Sequence, residues 1–286
     1  MPAILPKFRT LLVLGRISNL PTVWSNCLTA WLLSGGESWN NFYVLCVGAT
    51  LLYVGGMYLN DAFDADFDRQ HRQERPIPSG QITPRTVWLI GGGMLLLGWL
   101  LMLMLGLTVA LFALLLVVTI VLYDAVHKRT AFAPLLMSLC RFLLYVVAGA
   151  ATLRRVNDAV VWHGLALAAY ITGLSYLARN ESGMGIVRRW PLLLLIAPLP
   201  ANVLINSNRD ALSWAASGVL CAWLLWCLRG TFGWTSQNIG RTVAGLLAGI
   251  VLVDWAVVPR LTEQFNLSFL CLFVLALILQ RKIPAT

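Results

Sequence analysis

Ten apolar stretches follow one another along this sequence, and short polar intervals separate them. A helix needs about 20 apolar residues to cross the roughly 30 Å hydrocarbon core of a bilayer, and most of the stretches approach that length. They span residues 10–34, 41–59, 86–105, 107–124, 133–152, 160–177, 190–206, 211–228, 239–257 and 267–280. We therefore expect an all-α, polytopic transmembrane bundle of nine or ten helices, the tenth being short.

The composition excludes an ordinary soluble domain. Apolar residues make up 59% of the chain, compared with roughly 45–50% in soluble domains. The first stretch contains Arg16, Asn19 and Pro21 and lacks a small-residue cleavage site, so we expect it to remain in the mature protein rather than to be removed as a signal peptide. No soluble domain interrupts the pattern, and a single transmembrane domain over residues 1–286 is predicted.

The net charge of +9 indicates orientation rather than a polyanionic partner. With the N-terminus in the cytoplasm, most of the 21 lysines and arginines lie in cytoplasmic loops, which is the positive-inside pattern. The sequence therefore predicts an integral protein of the plasma membrane, in contact with the lipid bilayer. We expect no nucleic-acid partner.

The densest polar segment, Asn60 to Gly80, reads NDAFDADFDRQHRQERPIPSG and directly follows an apolar run. If the helix continues through it at about 100° per residue, four side chains share an arc of about 100°. They are Asn60, Asp61, Asp64 and Asp68. Asp66 lies about 240° from Asn60 and is left out of the site.

Three carboxylates on one face repel one another, and burial would raise their pKa values. A hard divalent cation relieves this penalty, and oxygen ligands favour magnesium or calcium over zinc. Magnesium is commonly coordinated by one or two protein carboxylates together with phosphate oxygens of a substrate. The cluster therefore predicts Mg2+ and a metal-bridged phosphate, and the alternative is a polar loop that is merely solvated.

The segment from Arg75 to Gly80 (RPIPSG) must turn, because both prolines lack an N–H donor and restrict the preceding residue. This rigid turn is expected to hold Arg75 near the acidic face, where a planar guanidinium suits phosphate oxygens. The other arginines of the segment are explained by the positive-inside pattern alone.

At these residues the sequence resembles the UbiA family of membrane prenyltransferases. The family signature N-D-x-x-D-x-x-x-D followed by R-P-x-x-S-G is occupied from Asn60 to Gly80. Two further regions are similar: RISNLPTVWSN from Arg16 to Asn26, and LYDAVHKRTAFAP, which contains Tyr123. The overall pattern is closest to an EboC-like subgroup of the family.

The resemblance implies a helical bundle, usually of nine spans, with a central cavity capped by cytoplasmic loops. It also implies Mg2+-dependent transfer of an isoprenyl group from an allylic diphosphate to a hydrophobic acceptor, often aromatic. The catalytic residues would be Asp61, Asp64, Asp68 and Lys128, with the three aspartates and Asn60 holding the metal. The substrate-binding residues would be Asn60, Arg75, Arg16, Asn19, Tyr123, Arg129, Arg141, Arg179 and Glu181.

One departure concerns the family's second aspartate-rich motif, which corresponds here to YITGLSYLARNES. Ile171 and Ala178 stand where aspartates are expected, and Glu181 is the acidic residue that remains. Three explanations stay open: a second metal held weakly by Glu181 with Arg179, a reaction that uses one magnesium, or a loss of catalysis.

Four charged residues lie inside or beside the apolar stretches. Arg141 is expected either to reach the diphosphate region or to have a structural partner such as Asp124. Asp124 and Lys128 are one helical turn apart and are interpreted as an ordinary ion pair. Asp254 is interpreted as structural, paired with Arg260 or exposed at the interface.

Two other functions compete with prenyl transfer. A non-catalytic isoprenoid-binding or transport-assisting protein on the same fold would explain the altered second motif. A transporter built from inverted repeats would predict internal symmetry and broken helices at the midplane, and the two halves of the sequence show no convincing repeat.

Overall fold

A computed structural model describes residues 8–152, 156–179, 190–205, 211–232, 239–258 and 261–283. Within these residues the chain is helical and forms no strand. The elements are α1 (Phe8–Leu14), a 3-10 turn (Ile17–Asn19), α2 (Leu20–Leu33), α3 (Trp39–Phe63), α4 (Ala65–His71), α5 (Pro84–Met104), α6 (Leu107–Val126), α7 (Ala133–Ala150), α8 (Asp158–Arg179), α9 (Pro191–Leu195), α10 (Pro198–Ile205), α11 (Ala211–Phe232), α12 (Ile239–Val257) and α13 (Glu263–Lys282).

The predicted fold class is confirmed, and each apolar stretch corresponds to helix. Eight helices of the described residues are long and apolar enough to cross a membrane: α3, α5, α6, α7, α8, α11, α12 and α13. The first stretch is divided into α1, the 3-10 turn and α2, and the seventh is a shorter apolar segment, Pro191–Ile205, divided into α9 and α10. The protein is therefore an integral membrane protein.

The first stretch breaks at Arg16, which has a left-handed backbone with φ of 41°. Two tyrosines of α3 bind the chain at this break: Tyr58 donates to the carbonyl oxygen of Leu11 at 3.0 Å, and Tyr53 donates to that of Arg16 at 3.4 Å. The same two carbonyl oxygens also accept from the backbone N–H groups of Gly15 and Asn19. The break thus fixes Arg16 against α3.

Helix α3 packs closely on α5 through small residues. A Cβ atom added to Gly55 would lie 2.9 Å from the carbonyl oxygen of Gly91, and one added to Gly98 would lie 3.0 Å from that of Gly48. Glycines at such positions let two membrane helices approach backbone to backbone. This contact anchors α3, whose last turn begins the acidic cluster.

Candidate active site at the end of helix α3

The helix does continue through the acidic cluster, with one joint at Asp64 between α3 and α4. The N–H of Asp64 donates to the carbonyl oxygen of Asn60 at 3.0 Å, and the N–H of Asp68 donates to that of Asp64 at 2.9 Å. The helical spacing of i to i+4 is therefore kept from Asn60 to Asp68. The arc expected from the sequence is present.

The four side chains of that arc are buried together at one end of the bundle. Their exposed fractions are 4% for Asn60, 7% for Asp61, 5% for Asp64 and 1% for Asp68. The side chain of Asp66, by contrast, is 92% exposed and forms an ion pair with Arg69. The three aspartates on the predicted arc are therefore buried and Asp66 is exposed, as the helical angles predict.

Arg75 and Arg16 compensate two of the buried carboxylates. Arg75 Nη1 lies 3.0 Å from Asp68 Oδ2 and 3.3 Å from Asp61 Oδ1, and Arg16 Nη2 lies 3.5 Å from the same Asp61 oxygen. The turn after α4 brings Arg75 back, with Gly80 at φ of 75°, a backbone region that glycine enters readily. Both arginines are largely buried at the acidic face.

The loop after α6 compensates the third carboxylate. Lys128 Nζ lies 2.8 Å from Asp64 Oδ1 and His127 Nε2 lies 3.4 Å from it. Burial by itself would raise the pKa of Asp64, but the hydrogen bonds and charges of His127 and Lys128 outweigh burial and hold that pKa below its usual value. The Lys128 ammonium also lies 3.7 Å from the ring centroid of Phe67, a favourable cation–π geometry.

Asp124 is the partner of Asn60, a role that sequence reasoning missed. Asn60 donates from Nδ2 to Asp124 Oδ1 at 3.0 Å and accepts from Arg16 Nη2 at 3.2 Å. The interpretation of Asp124 and Lys128 as an i,i+4 pair differs from the structure, because Lys128 extends to Asp64 on another helix. Asp124 is instead occupied by the amide of Asn60, and Lys128 pairs with Asp64.

Arg179 lies at the end of α8 and binds the loop after α6 rather than the acidic face. Its guanidinium donates to the carbonyl oxygens of His127 at 2.8 Å, Thr130 at 2.9 Å and Ala131 at 3.1 Å. Helix α6 ends at Val126, and carbonyl groups at a helix C-terminus lack intrahelical donors. Arg179 therefore supports the loop that carries Lys128.

Three other residues predicted to bind the substrate, Tyr123, Asn19 and Arg129, lie within the described residues. Tyr123 stacks on His127 with ring centroids 5.1 Å apart. Asn19 is buried beside α2 with an exposed fraction of 5%, and Arg129 is an exposed residue of the loop. Glu181 lies outside the described residues, so the prediction of a second metal ligand there stays a prediction.

Arg141 and Asp254 belong to one network inside the bundle. Arg141 donates to Asn26 Oδ1 at 2.8 Å and to Thr22 Oγ1 at 3.1 Å, so Asp124 is not its partner. Asp254 is fully buried, and the interpretation that it is exposed at the interface is wrong. It accepts hydrogen bonds from Ser25, Asn26 and Tyr145 on α2 and α7, and Arg260 lies outside the described residues.

The oxygen atoms of the site fit a magnesium ion that is coordinated partly by the protein and partly by a substrate. No group of three or more His, Cys, Asp or Glu side chains in the described ranges is arranged as a ready metal cage. The Asp68 Oδ1 and Asp124 Oδ2 atoms are nevertheless buried without a hydrogen bond, and Lys128 Nζ is 4.0 Å from the former. Magnesium usually takes only one or two carboxylates and completes its shell with water and phosphate oxygens.

The part of α8 that corresponds to the family's second aspartate-rich motif supplies no acidic side chain among the described residues. Ile171 is buried with an exposed fraction of 3%, and the helix carries one acidic residue, Asp158, at its first position. Arg179 and Tyr176 of its last turn bind the loop after α6 instead. In the described residues, the carboxylates of the candidate site therefore come from the end of α3, α4 and the end of α6.

The chain is similar to curated prenyltransferases over part of its length. It is 34% identical over 86 residues to a 4-hydroxybenzoate octaprenyltransferase of Thiobacillus denitrificans, covering 29% of this chain and 28% of that protein. It is 36% identical over 83 residues to a digeranylgeranylglyceryl phosphate synthase of Methanothrix thermoacetophila, covering 28% of this chain and 31% of that protein. These alignments thus span about a third or less of the relatives' length.

The fold is similar over nearly the whole chain to solved membrane proteins. A structure described with the biosynthesis of digeranylgeranylglyceryl phosphate synthase in membranes superposes with a TM-score of 0.61 at 16% identity, covering 94% of this chain and 98% of that one. The apo structure of a UbiA homologue from Aeropyrum pernix gives a TM-score of 0.52 at 15% identity, with the same coverage. The UbiA prenyltransferase family model matches residues 18–258, and the chain belongs to that family.

Proposed function

We propose that this protein transfers an isoprenyl group from an allylic diphosphate to an acceptor within the membrane, with Mg2+ as cofactor. The observation that carries the proposal is the ring of charges at one end of the bundle, in which the buried Asp61, Asp64 and Asp68 face Arg16, Arg75 and the more exposed Lys128. A ring of alternating charge at one end of an apolar bundle suits a ligand with a polyanionic head and a hydrocarbon tail.

The residues divide the work by charge. Asn60 and the three aspartates would hold magnesium, which supplies positive charge to a leaving diphosphate. Arg16, Arg75 and Lys128 would donate to the phosphate oxygens, with the arginines suited to bidentate contact. Preorganised charge aimed at a developing anion is commonly the largest single contribution to catalysis.

The reaction balances without a further reactant. The allylic C–O bond breaks, and its electron pair leaves with the diphosphate. The allylic carbocation forms a new bond to an electron-rich atom of the acceptor, which then releases a proton.

The relatives suggest two kinds of acceptor. One is an aromatic acid, as in the name of the 4-hydroxybenzoate octaprenyltransferases, and the other is a glyceryl phosphate lipid, as in that of the digeranylgeranylglyceryl phosphate synthases. For the orientation, we propose that the charged ring lies on the cytoplasmic side of the plasma membrane, because the positive-inside pattern puts most lysines and arginines there.

A second candidate function is binding of an isoprenoid diphosphate without turnover. The apolar residues Ile171 and Ala178 of α8 favour it, because they stand at positions where the family carries aspartates. Both candidates require the same ligand, and they differ in whether diphosphate is released.

The experiment is Mg2+-dependent binding of allylic diphosphates of ten to twenty carbons to the purified full chain in nanodiscs. Asp64→Ala is the test variant, and Asp66→Ala is its matched control, because Asp66 lies on the same helical segment but is exposed. We expect binding that is lost with Asp64→Ala and kept with Asp66→Ala. Binding that is unchanged in Asp64→Ala would contradict the proposal. Measuring whether diphosphate is released distinguishes prenyl transfer from binding without turnover.

A further inference from the structure

A second polar region lies deeper in the bundle than the acidic cluster. Arg141 is the ninth residue of α7, so its Cα lies about 12 Å along the helix from the loop that carries Lys128. An arginine inside a membrane bundle is costly and usually faces a cavity or the bundle interior. The proposed transfer to an acceptor, on which this inference rests, uses the charges at the end of the bundle and gives Arg141 no function.

Asn26 and Asp254 hold Arg141 in one orientation. Asn26 accepts from Arg141 with Oδ1 and donates with Nδ2 to Asp254, so the amide cannot turn without losing both bonds. Asp254 accepts hydrogen bonds from Ser25, Asn26 and Tyr145, and it balances the charge of Arg141 through the shared partner Asn26. Because Asp254 is fully buried and Arg141 is only partly buried, the positive end of this charge pair is the accessible one.

The guanidinium retains donor capacity at that end. An arginine carries five N–H donors, and the hydrogen bonds of Arg141 in the described residues go to Asn26 and Thr22 alone. These two acceptors are a neutral amide and a hydroxyl. The geometry leaves a fixed and only partly buried cation without a direct carboxylate partner among the described residues.

Tyr53 connects this cation to the diphosphate-binding residues. The ring of Tyr53 lies 5.8 Å from the Arg141 guanidinium carbon, and its hydroxyl donates to the carbonyl oxygen of Arg16. Tyr53 is also two helical turns before Asn60, on the same face of α3. Arg141 and the acidic cluster therefore belong to one continuous interior face at two depths.

We infer that Arg141 binds an anionic group, a carboxylate or a phosphate, on the acceptor. An acceptor held by its charged end at Arg141 extends its reacting atom towards the diphosphate-binding residues. Charged groups that bind through guanidinium hydrogen bonds gain more than neutral ones, so the same contact selects charged acceptors over neutral analogues. Both kinds of acceptor named for the relatives carry such a group.

The test measures donor and acceptor binding separately on the full chain in nanodiscs. Charged and neutral probes are compared in pairs: 4-hydroxybenzoate with its methyl ester, and geranylgeranylglyceryl phosphate with the uncharged alcohol. The pair that shows a charge preference identifies carboxylate or phosphate as the group. Mg2+-dependent binding of geranylgeranyl diphosphate is measured beside them.

For Arg141→Gln we expect the affinity for the preferred charged probe to fall by about tenfold to a hundredfold, the effect of losing a charged hydrogen bond. Its neutral analogue and the diphosphate should bind within about twofold of the original protein. Tyr145→Phe is the matched control, since it removes a hydrogen bond of the same network without touching Arg141, and it should keep the charge preference.

Four results would overturn the inference while the diphosphate still binds. They are equal affinity for charged and neutral probes, no binding of either charged probe, unchanged preference in Arg141→Gln, and equal loss in Tyr145→Phe. Failure of the diphosphate to bind at all would instead contradict the proposed function.

Discussion

Replacing Asp124 by leucine tests how the orientation of Asn60 is fixed. The two side chains are 3% and 4% exposed and share a hydrogen bond of 3.0 Å. Because Asp124 accepts from the amide nitrogen, the amide oxygen faces Arg16 and is available to a cation. A hydrogen bond to a charged group contributes about 1.5–3 kcal/mol. This is the free energy holding the Asn60 amide in its orientation that Asp124→Leu would remove.

This energy corresponds to a loss of roughly tenfold to a hundredfold in the affinity of the diphosphate in the presence of Mg2+. Asp124→Asn is the matched control, because it keeps an acceptor oxygen and should lose about tenfold or less. The assay is diphosphate binding to the full chain in nanodiscs, with thermal unfolding measured in parallel. Unchanged binding in a folded Asp124→Leu protein, or an equal loss in both variants, would refute the reasoning.

Three further changes test the supports of the site. Arg179→Gln removes three hydrogen bonds to the loop that carries Lys128, so diphosphate affinity should fall about tenfold, and Arg179→Lys should restore part of it. Gly55→Ala places a Cβ 2.9 Å from a backbone oxygen of α5 and should destabilise the protein by about 1–3 kcal/mol in thermal unfolding, whereas Gly92→Ala, with open space around it, should not. Because the pKa of Asp64 is lowered in the folded protein, the ionised side chain stabilises the fold at pH values above the ordinary aspartate pKa of about 3.9. This contribution is lost as the pH falls through the lowered pKa. The difference in Tm between the original protein and Asp64→Asn should therefore shrink below about pH 4.

The fold was predictable because the membrane reduces the choices of the chain. A segment such as residues 107–124 has few structures available other than a spanning helix, and α6 covers Leu107–Val126. The break near Arg16 was visible only as a polar interruption followed by Pro21. Its geometry depends on Tyr53 and Tyr58, which lie on another helix, and no local pattern specifies that contact.

The acidic arc was predictable for a similar reason, since four side chains on one helix are related by a fixed rotation. Contacts between helices were not. The spacing of Asp124 and Lys128 favours a local pair, whereas the structure gives Asn60 to Asp124 and Asp64 to Lys128. Likewise, the resemblance to the family placed Arg179 among the substrate-binding residues, although helix ends also attract arginine through their free carbonyl groups.

The ring of charges explains how an apolar protein can keep carboxylates buried before any ligand arrives. Three aspartates face three permanent cations, so no member is an isolated buried charge, which would be strongly unfavourable. On binding under the proposed function, the aspartates exchange an arginine or lysine for magnesium, and those cations exchange a carboxylate for a phosphate oxygen. Each group has an opposite charge beside it in both states. The preorganised site and the stable fold therefore depend on the same ion pairs: removing Asp61 takes the carboxylate partner of Arg16, and removing Asp64 takes the nearest carboxylate of Lys128.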